Sequence, residues 1–200
     1  MKNFVLLFLM VVSFSCAQEM KEIKGETAWQ KEMNADFKDA TKSPLKNKDR
    51  KTFDGLDFFK FDSTLVVTAT LKRTPDTDWF EMKTTTDRLA LERVYGVLTF
   101  EIKGKPFQLN VYQGKDLMVK EGFEDHLFLP FLDNTNGTTS YGAGRYIDLT
   151  IPEGDTIEID FNTAYNPYCA YNEKYSCPIV PSENYIDADI EAGVKVFVKK

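Results

Sequence analysis

The chain of 200 residues has one histidine, three cysteines and, beyond residue 12, no apolar run long enough to cross a bilayer. The single histidine argues against a histidine-rich metal site, because structural zinc usually takes four ligands. Basic residues are also few, since 25 Lys and Arg face 31 Asp and Glu, for a formal net charge of −6. Nucleic-acid binding requires basic patches against the phosphates, so we expect no nucleic-acid partner.

The N-terminus has the pattern of an export signal. A positively charged start precedes an apolar run over residues 4–12, which is too short to span a bilayer but is typical of a signal peptide. Residues 13–17 read Ser-Phe-Ser-Cys-Ala and resemble a bacterial lipobox, in which the chain is cut before the cysteine and lipid is attached to its sulfur. We therefore predict a signal peptide over residues 1–15 and lipidation at Cys16. Cleavage near Ala17, which gives a soluble periplasmic protein, is the alternative.

Processing at this point sets the expected location and size of the mature protein. It removes one lysine and no acid, which leaves 185 residues with a formal net charge of −7. That length suits one domain with a hydrophobic core. Residues 16–26 are polar and predict a tether, and residues 27–200 predict a single domain. We expect it in the cell envelope, periplasmic or at the outer membrane, with the membrane as a partner through the lipid anchor.

Hydrophobic periodicity predicts a mainly β fold with one N-terminal helix. Apolar residues recur at helical spacing over residues 27–41, and Pro44 follows as a stop signal. After Pro44 the period changes to two, which indicates strands joined by turns without intervening helices. This order predicts an antiparallel β-sandwich or a barrel-like domain. The predicted strands cover residues 65–71, 79–84, 91–102, 107–112, 127–132, 146–151, 157–161, 186–190 and 194–198.

Two cysteines remain once Cys16 is assigned to lipid. Cys169 and Cys177 form an even pair, and an oxidising compartment favours a disulfide between them. The bond would close a short loop and stabilise the fold by about 2.5 kcal/mol on the chain-entropy model. Metal thiolates or two unpaired thiols are the alternatives, and we predict no metal site.

Polar residues that strands do not need are concentrated between positions 126 and 184. The segments read Tyr-Gly-Ala-Gly-Arg-Tyr at 141–146, Asp-Phe-Asn-Thr-Ala-Tyr-Asn-Pro-Tyr-Cys-Ala-Tyr at 160–171, and Cys-Pro-Ile-Val-Pro at 177–181. They resemble the signature of the uncharacterised domain of unknown function 1684 family, and the resemblance runs from about residue 29 to residue 195. It implies kinship but no settled activity. The chain departs from the family pattern at Thr163, Tyr185 and Val194, where arginine, arginine and glutamate are usual.

The same region supplies the candidate ligand-binding residues. A guanidinium in a Gly-x-Gly-Arg turn suits a carboxylate or phosphate ligand, although a structural salt bridge to Asp133, Asp148 or Asp160 is the alternative. Tyrosines offer an apolar body with a polar tip, or pack in the core. Asparagines bind ligands or satisfy the backbone of turns. The candidates are Arg145, Tyr141, Tyr146, Asn162, Tyr165, Asn166 and Asn184.

Three residues are candidates for catalysis. His126 is the side chain whose ordinary pKa lies nearest neutrality, which makes it a candidate general acid or base. Asp133 and Asp160 would form a carboxylate pair if the fold brings them together. A Gly-x-Ser-x-Gly elbow, which would mark a serine nucleophile, is missing from the sequence.

These observations predict an exported, lipid-anchored domain that binds a small anionic or polar ligand. One alternative is a periplasmic hydrolase in which Arg145 orients an anionic substrate and His126 or Asp133 moves a proton. Another is a structural envelope protein that faces a protein partner. No motif indicates a cofactor, because the glycines at 142 and 144 lack the strand and helix of a dinucleotide-binding unit.

Overall fold

The computed structural model describes residues 23–198. Eight strands dominate it, so the predicted mainly β class is confirmed. Two helices, α1 (Ala28–Lys38) and the short α2 (Asn47–Lys51), precede the sheet. The strands are β1 (Val66–Arg73), β2 (Phe80–Lys83), β3 (Leu89–Ile102), β4 (Lys105–Gly114), β5 (His126–Asp133), β6 (Arg145–Thr150), β7 (Thr156–Asp160) and β8 (Tyr185–Ile186).

The strands form one curled sheet, a half-barrel, in the order β6-β5-β4-β3-β1-β7. Neighbours in this order are antiparallel, β2 adds to β3, and β8 runs parallel to β5. The loop 151–155 joins β6 to β7 and reaches at most about 20 Å when extended. Six strands side by side in a flat sheet would put those two edges about 24 Å apart, so the sheet must curl.

The two faces of the sheet carry different side chains, and we name them by their contents. Leu127, Leu129 and Phe131 of β5 point to one face, the core face, where residues of seven strands form the main hydrophobic cluster. Phe128 points to the other, the pocket face, where it joins Tyr146 in a second cluster. This alternation follows from the period of two along a strand.

Helix α1 forms where the periodicity predicts it, and Thr27 caps its first turn by accepting a hydrogen bond from the Gln30 backbone amide. Lys24, which lies in the predicted tether, contacts the fold through two groups. The Lys24 carbonyl accepts a hydrogen bond from Asn34 Nδ2 at 2.9 Å, and Lys24 Nζ pairs with Asp54. The predicted signal peptide and Cys16 lie outside the described residues.

Two strand predictions at the C-terminus are wrong. Of residues 186–190 only Ile186 belongs to a strand, the two-residue β8, and residues 194–198 form no strand. Val194 is buried and makes a single antiparallel bridge to Phe58, while Val198 is exposed. The alternation of valines there reflects an extended surface segment without a neighbouring strand.

Candidate functional site

A pocket of about 640 Å³ lies on the pocket face of the sheet. The ends of β3 to β6 form its floor, and its walls come from α1, the β4–β5 loop and the segment that follows β7. Small-molecule sites usually measure about 300–1,000 Å³, so the volume suits a small organic ligand. The lining side chains that determine its chemistry are Trp29, Arg88, Glu92, His126, Asp148, Tyr146 and Tyr165.

Glu92, Gly114 and His126 lie in a row across three neighbouring strands of the floor. Glu92 of β3 pairs with Gly114 of β4. Tyr112 pairs with Phe128, and Gly114 and His126 each lie two residues further towards the same end, so they share one face. A Cβ at position 114 would lie only 3.0 Å from Glu92 Oε1. The glycine therefore makes room for the carboxyl and puts no side chain between Glu92 and His126.

His126 is oriented by a carboxylate on the next strand. Its Nε2 lies 2.9 Å from Asp148 Oδ1, a diagonal neighbour, since Asp148 pairs with Phe128 in the β5–β6 register. The Tyr165 hydroxyl donates to both Asp148 oxygens, at 3.0 and 2.9 Å. Because burial and then the charge on Asp148 raise the pKa of Tyr165, this hydroxyl stays a donor.

These contacts fix the hydrogen-bonding role of each imidazole nitrogen. The Asp148 carboxylate has no hydrogen to donate, so it accepts a hydrogen bond from His126 as it does from the Tyr165 hydroxyl. His126 Nε2 therefore carries the hydrogen of this bond. In the neutral ring, Nδ1 then presents a lone pair. This Nδ1 is buried and has no hydrogen-bond partner within residues 23–198. The lone pair therefore lacks a partner among these residues.

Glu92 is a buried acid with an unsatisfied oxygen. Only 8% of the residue is exposed, and Oε2 has no hydrogen-bond partner in the described part of the chain. Burial raises the pKa of the Glu92 carboxyl to about 7, although the charges of His126 and Arg88 oppose the rise and that of Asp116 adds to it. A large fraction of Glu92 is therefore protonated at neutral pH and can donate a hydrogen bond.

Aromatic rings line the walls of the pocket. Tyr146 packs edge-on against Phe128, with centroids 4.7 Å apart, and against Tyr165 at 5.9 Å. Trp29 comes from α1 and Tyr168 from the segment after β7. Such walls suit a ring-bearing ligand, because aromatic faces bury a large apolar area with defined geometry.

Of the predicted ligand-binding and catalytic residues, His126, Tyr146 and Tyr165 line this pocket, but Arg145 does not. Arg145 points to the core face and is fully buried. Its guanidinium donates to Asp133 Oδ2 at 2.9 Å, to the Ile190 carbonyl at 2.7 Å and to the Ala192 carbonyl. Asp133 in turn accepts from the Thr135 amide and hydroxyl. The Arg145–Asp133 salt bridge joins the C-terminal segment to the sheet. Arg145 therefore has the structural role that the sequence left open as the alternative to binding an anion.

The glycine before this arginine serves the same packing. Gly144 has φ +90, and a Cβ there would lie 2.7 Å from the Phe131 carbonyl oxygen. Close approach in the Gly-x-Gly-Arg turn is thus between two strands of the sheet, not between backbone and ligand.

The predicted asparagines and Asp160 connect backbone segments. Asn184 Nδ2 donates to the carbonyls of Asn110 and Pro130, at 2.8 and 2.7 Å. Asn162 Nδ2 donates to Asp160 and to the Asp62 carbonyl. The three contacts to carbonyl groups cross-link strands and loops, as the turn interpretation expects.

Asn166 also binds a backbone carbonyl. The proposed carboxylate pair, Asp133 and Asp160, does not form a shared site. Asn166 Nδ2 donates to the Lys195 carbonyl at 2.9 Å. Asp133 lies in the Arg145 network on the core face, whereas Asp160 caps a 3-10 turn by accepting from the Asn162 amide. The two carboxylates therefore have separate structural partners, and neither lines the pocket.

Cys169 and Cys177 are free cysteines in the structure, not the expected disulfide. Cys177 Sγ accepts a hydrogen bond from the Cys169 backbone amide at 3.1 Å. A hydrogen bond between the two thiols is the main cause that lowers the pKa of Cys169 to about 6. The same hydrogen bond raises the pKa of Cys177. Tyr141, whose pKa burial raises to about 12, interacts with Cys169 outside the pocket lining. The disulfide stays a prediction for an oxidising compartment.

Sequence reasoning missed Glu92, Arg88 and the role of Asp148. A signal for Glu92 is present, because Ala90, Glu92 and Val94 share one phase of β3 and the first two are buried. A charged residue in the buried phase of a strand requires a special reason. Arg88, which donates to the Ser176 hydroxyl and carbonyl, carries no comparable signal. Thr163, a departure from the family pattern, also lines the pocket.

No helix within residues 23–198 is long and apolar enough to span a membrane. No group of three or more His, Cys, Asp or Glu side chains in that range is arranged to hold a metal ion.

The fold and the site define a curled β half-barrel that carries an aromatic-walled pocket with a carboxylate–histidine pair. Residues 51–195 match the sequence model of a protein family that is described as protein of unknown function (DUF1684). The chain therefore belongs to that family. The chain is also similar to the solution NMR structure of an uncharacterized protein from Haloarcula marismortui. The two are 31% identical, with 84% of this chain and 94% of that one covered and a TM-score of 0.63. Comparison with curated proteins gives no match.

Proposed function

We propose that this domain binds a small, polar, ring-bearing molecule in the pocket on the pocket face of the sheet. The observation that carries the proposal is the pair of buried atoms without partners, Glu92 Oε2 and His126 Nδ1, in the described structure. Buried polar atoms are nearly always satisfied, so two exceptions in one pocket suggest that a ligand supplies the partners. His126 Nδ1 accepts a hydrogen bond, and the Glu92 carboxyl donates one when it is protonated.

The charges favour a polar ligand over the anionic one that the sequence suggested. Arg145, the expected anion clamp, is engaged with Asp133 on the core face. In the pocket, Arg88 and Lys115 are offset by Glu92, Asp116 and Asp148. A ligand with no net charge, or with separated donors and acceptors, fits this balance.

The hydrolase alternative loses two of its three residues. Asp133 and Arg145 do not line the pocket, and only His126 does. The structural alternative is favoured by the buried arginine–aspartate network but leaves the pocket without a role. Ligand binding is therefore the better supported function.

We also propose that the protein is exported and anchored by lipid at Cys16. The support is the N-terminal sequence, with its apolar run and its small residues around the cysteine. A lipid on the sulfur would hold the domain at a membrane surface in the cell envelope, since each buried methylene contributes about 0.8 kcal/mol to membrane binding.

Thermal-shift screening of the purified chain against envelope metabolites, glycans and cyclic ketones tests the binding proposal. A ligand at 100 times its Kd stabilises the native state by about 2.7 kcal/mol, which raises the melting temperature of a domain of this size by about 5–10 °C. We expect His126→Ala to reduce the shift and Glu158→Gln, an exposed β7 control, to retain it. A shift that is unchanged in folded His126→Ala and Glu92→Ala variants would place the ligand elsewhere.

A further inference from the structure

We propose that the pocket catalyses proton transfer at a carbon next to a carbonyl group of an uncharged, ring-bearing substrate. In this reaction His126 Nδ1 takes the proton, and the Glu92 carboxyl donates a hydrogen bond to the carbonyl oxygen. The inference rests on the proposed function, because the substrate must occupy the pocket that Glu92 and His126 line.

The base is defined by the contacts of His126. Nε2 donates to Asp148, which also accepts twice from Tyr165, so the ring is held in one tautomer and one orientation. Nδ1 keeps its lone pair and finds no partner among the described residues. The Asp148 carboxylate would stabilise the imidazolium that forms when Nδ1 takes a proton.

The acid is defined by the burial of Glu92. The residue is 8% exposed and its carboxyl lies beside Gly114, which adds no side chain of its own between Glu92 and His126. The charged groups that act on it are His126 from β5, Arg88 before β3 and Asp116 after β4. Burial outweighs them and favours the neutral acid, the form that donates a hydrogen bond to a developing enolate.

The reaction is balanced with these two groups alone. The C–H bond breaks, its proton moves to Nδ1, and the electron pair shifts to the carbonyl oxygen to give an enol or enolate. Return of the proton to the same carbon exchanges hydrogen, and return to a conjugated carbon moves a double bond. No electrons are lost or gained, and no co-reactant is needed.

The surroundings favour this reaction over hydrolysis. Enolisation needs one base and one hydrogen-bond donor, which are the two unsatisfied groups. Hydrolysis would also need a positioned water and a donor set for a tetrahedral oxyanion. The walls formed by Phe128, Tyr146 and Trp29 suit a neutral ring.

Exchange of the α-protons of 2-tetralone in D₂O, followed by proton NMR with the full chain, tests the inference. General acid–base catalysis typically contributes about 10²–10⁴-fold, so we expect wild type to exceed buffer by that order and His126→Ala to lose about 100-fold. Glu92→Ala should lose more than Glu92→Gln, whose amide still donates. The wild-type rate should fall above pH 7 as Glu92 loses its proton, and Glu92→Gln should remove that fall.

The controls separate catalysis from folding and from binding. Glu158→Gln, exposed on β7, should keep the wild-type rate. Near-ultraviolet circular dichroism shows whether each variant keeps its tertiary packing, and His126→Asn replaces His126→Ala if the latter unfolds. A stabilising shift by 2-tetralone without exchange above buffer would overturn the catalytic inference and leave binding intact. Absence of both a thermal shift and exchange would overturn the catalytic inference and the binding of this ketone. Exchange at the wild-type rate in a folded His126→Ala variant would also overturn the catalytic inference.

Discussion

Removal of the ionisable group at Glu92 should make the stability of the protein less dependent on pH. Burial raises the pKa of this carboxyl from 4.5 to about 7. The folded state therefore holds a proton that the unfolded state loses between those values, so the contribution of Glu92 to stability falls as pH rises through this window. At 1.36 kcal/mol per unit, the loss is about 3 kcal/mol when pH exceeds 7.

Glu92→Gln keeps the shape of the side chain but cannot ionise. We expect the variant to be close to wild type in free energy of unfolding at pH 4. It should become more stable than wild type by up to about 3 kcal/mol at pH 9. Urea denaturation at pH 4, 5.5, 7 and 9 measures the difference, and Glu158→Gln on the exposed side of β7 is the matched control.

Comparison of variant with wild type at each pH cancels the titration of groups that do not interact with Glu92. A difference that stays constant from pH 4 to pH 9 would show that the Glu92 carboxyl is solvated like an exposed acid. A difference that grows in the opposite sense would show that the carboxylate has a favourable partner. Either result would refute a buried, unsatisfied acid in the pocket.

Three further predictions concern other parts of the chain. Arg145→Ala should destabilise the domain by about 3–5 kcal/mol in urea denaturation, because it leaves the buried Asp133 charge uncompensated; a loss below 1 kcal/mol would contradict the network. In an oxidising buffer Cys169 and Cys177 should bond, seen as a loss of 2 Da, and reduction should then lower the free energy of unfolding by about 2.5 kcal/mol. Cys16→Ser should move the protein from the membrane to the soluble envelope fraction, and unchanged membrane association would disprove the lipid anchor.

Much of the fold was predictable from alternation along the chain. Strands such as β4 and β7 have one phase of residues on the main core, and a period of two detects that arrangement. Strand order was not predictable, because it depends on contacts between distant segments. The curl follows only once β6 and β7 are known to be opposite edges.

The candidate site was predicted in part, and the reason lies in what polar residues do when buried. Arg145 and Asn184 looked like ligand residues, yet they satisfy backbone carbonyls in the core. A cluster of polar residues that holds a loop has the same sequence pattern as one that holds a ligand. Glu92 and His126 are 34 positions apart, and only the pairing of β3, β4 and β5 brings them together.

Direct titration of the Glu92 carboxyl carbon by ¹³C NMR tests most directly whether the pocket holds a neutral acid opposite a histidine lone pair. We predict a titration midpoint near 7 that is unaffected by Glu158→Gln. A midpoint near 4.5 would mean that water reaches the carboxyl freely, and the pocket would then lack the donor on which binding and proton transfer both depend.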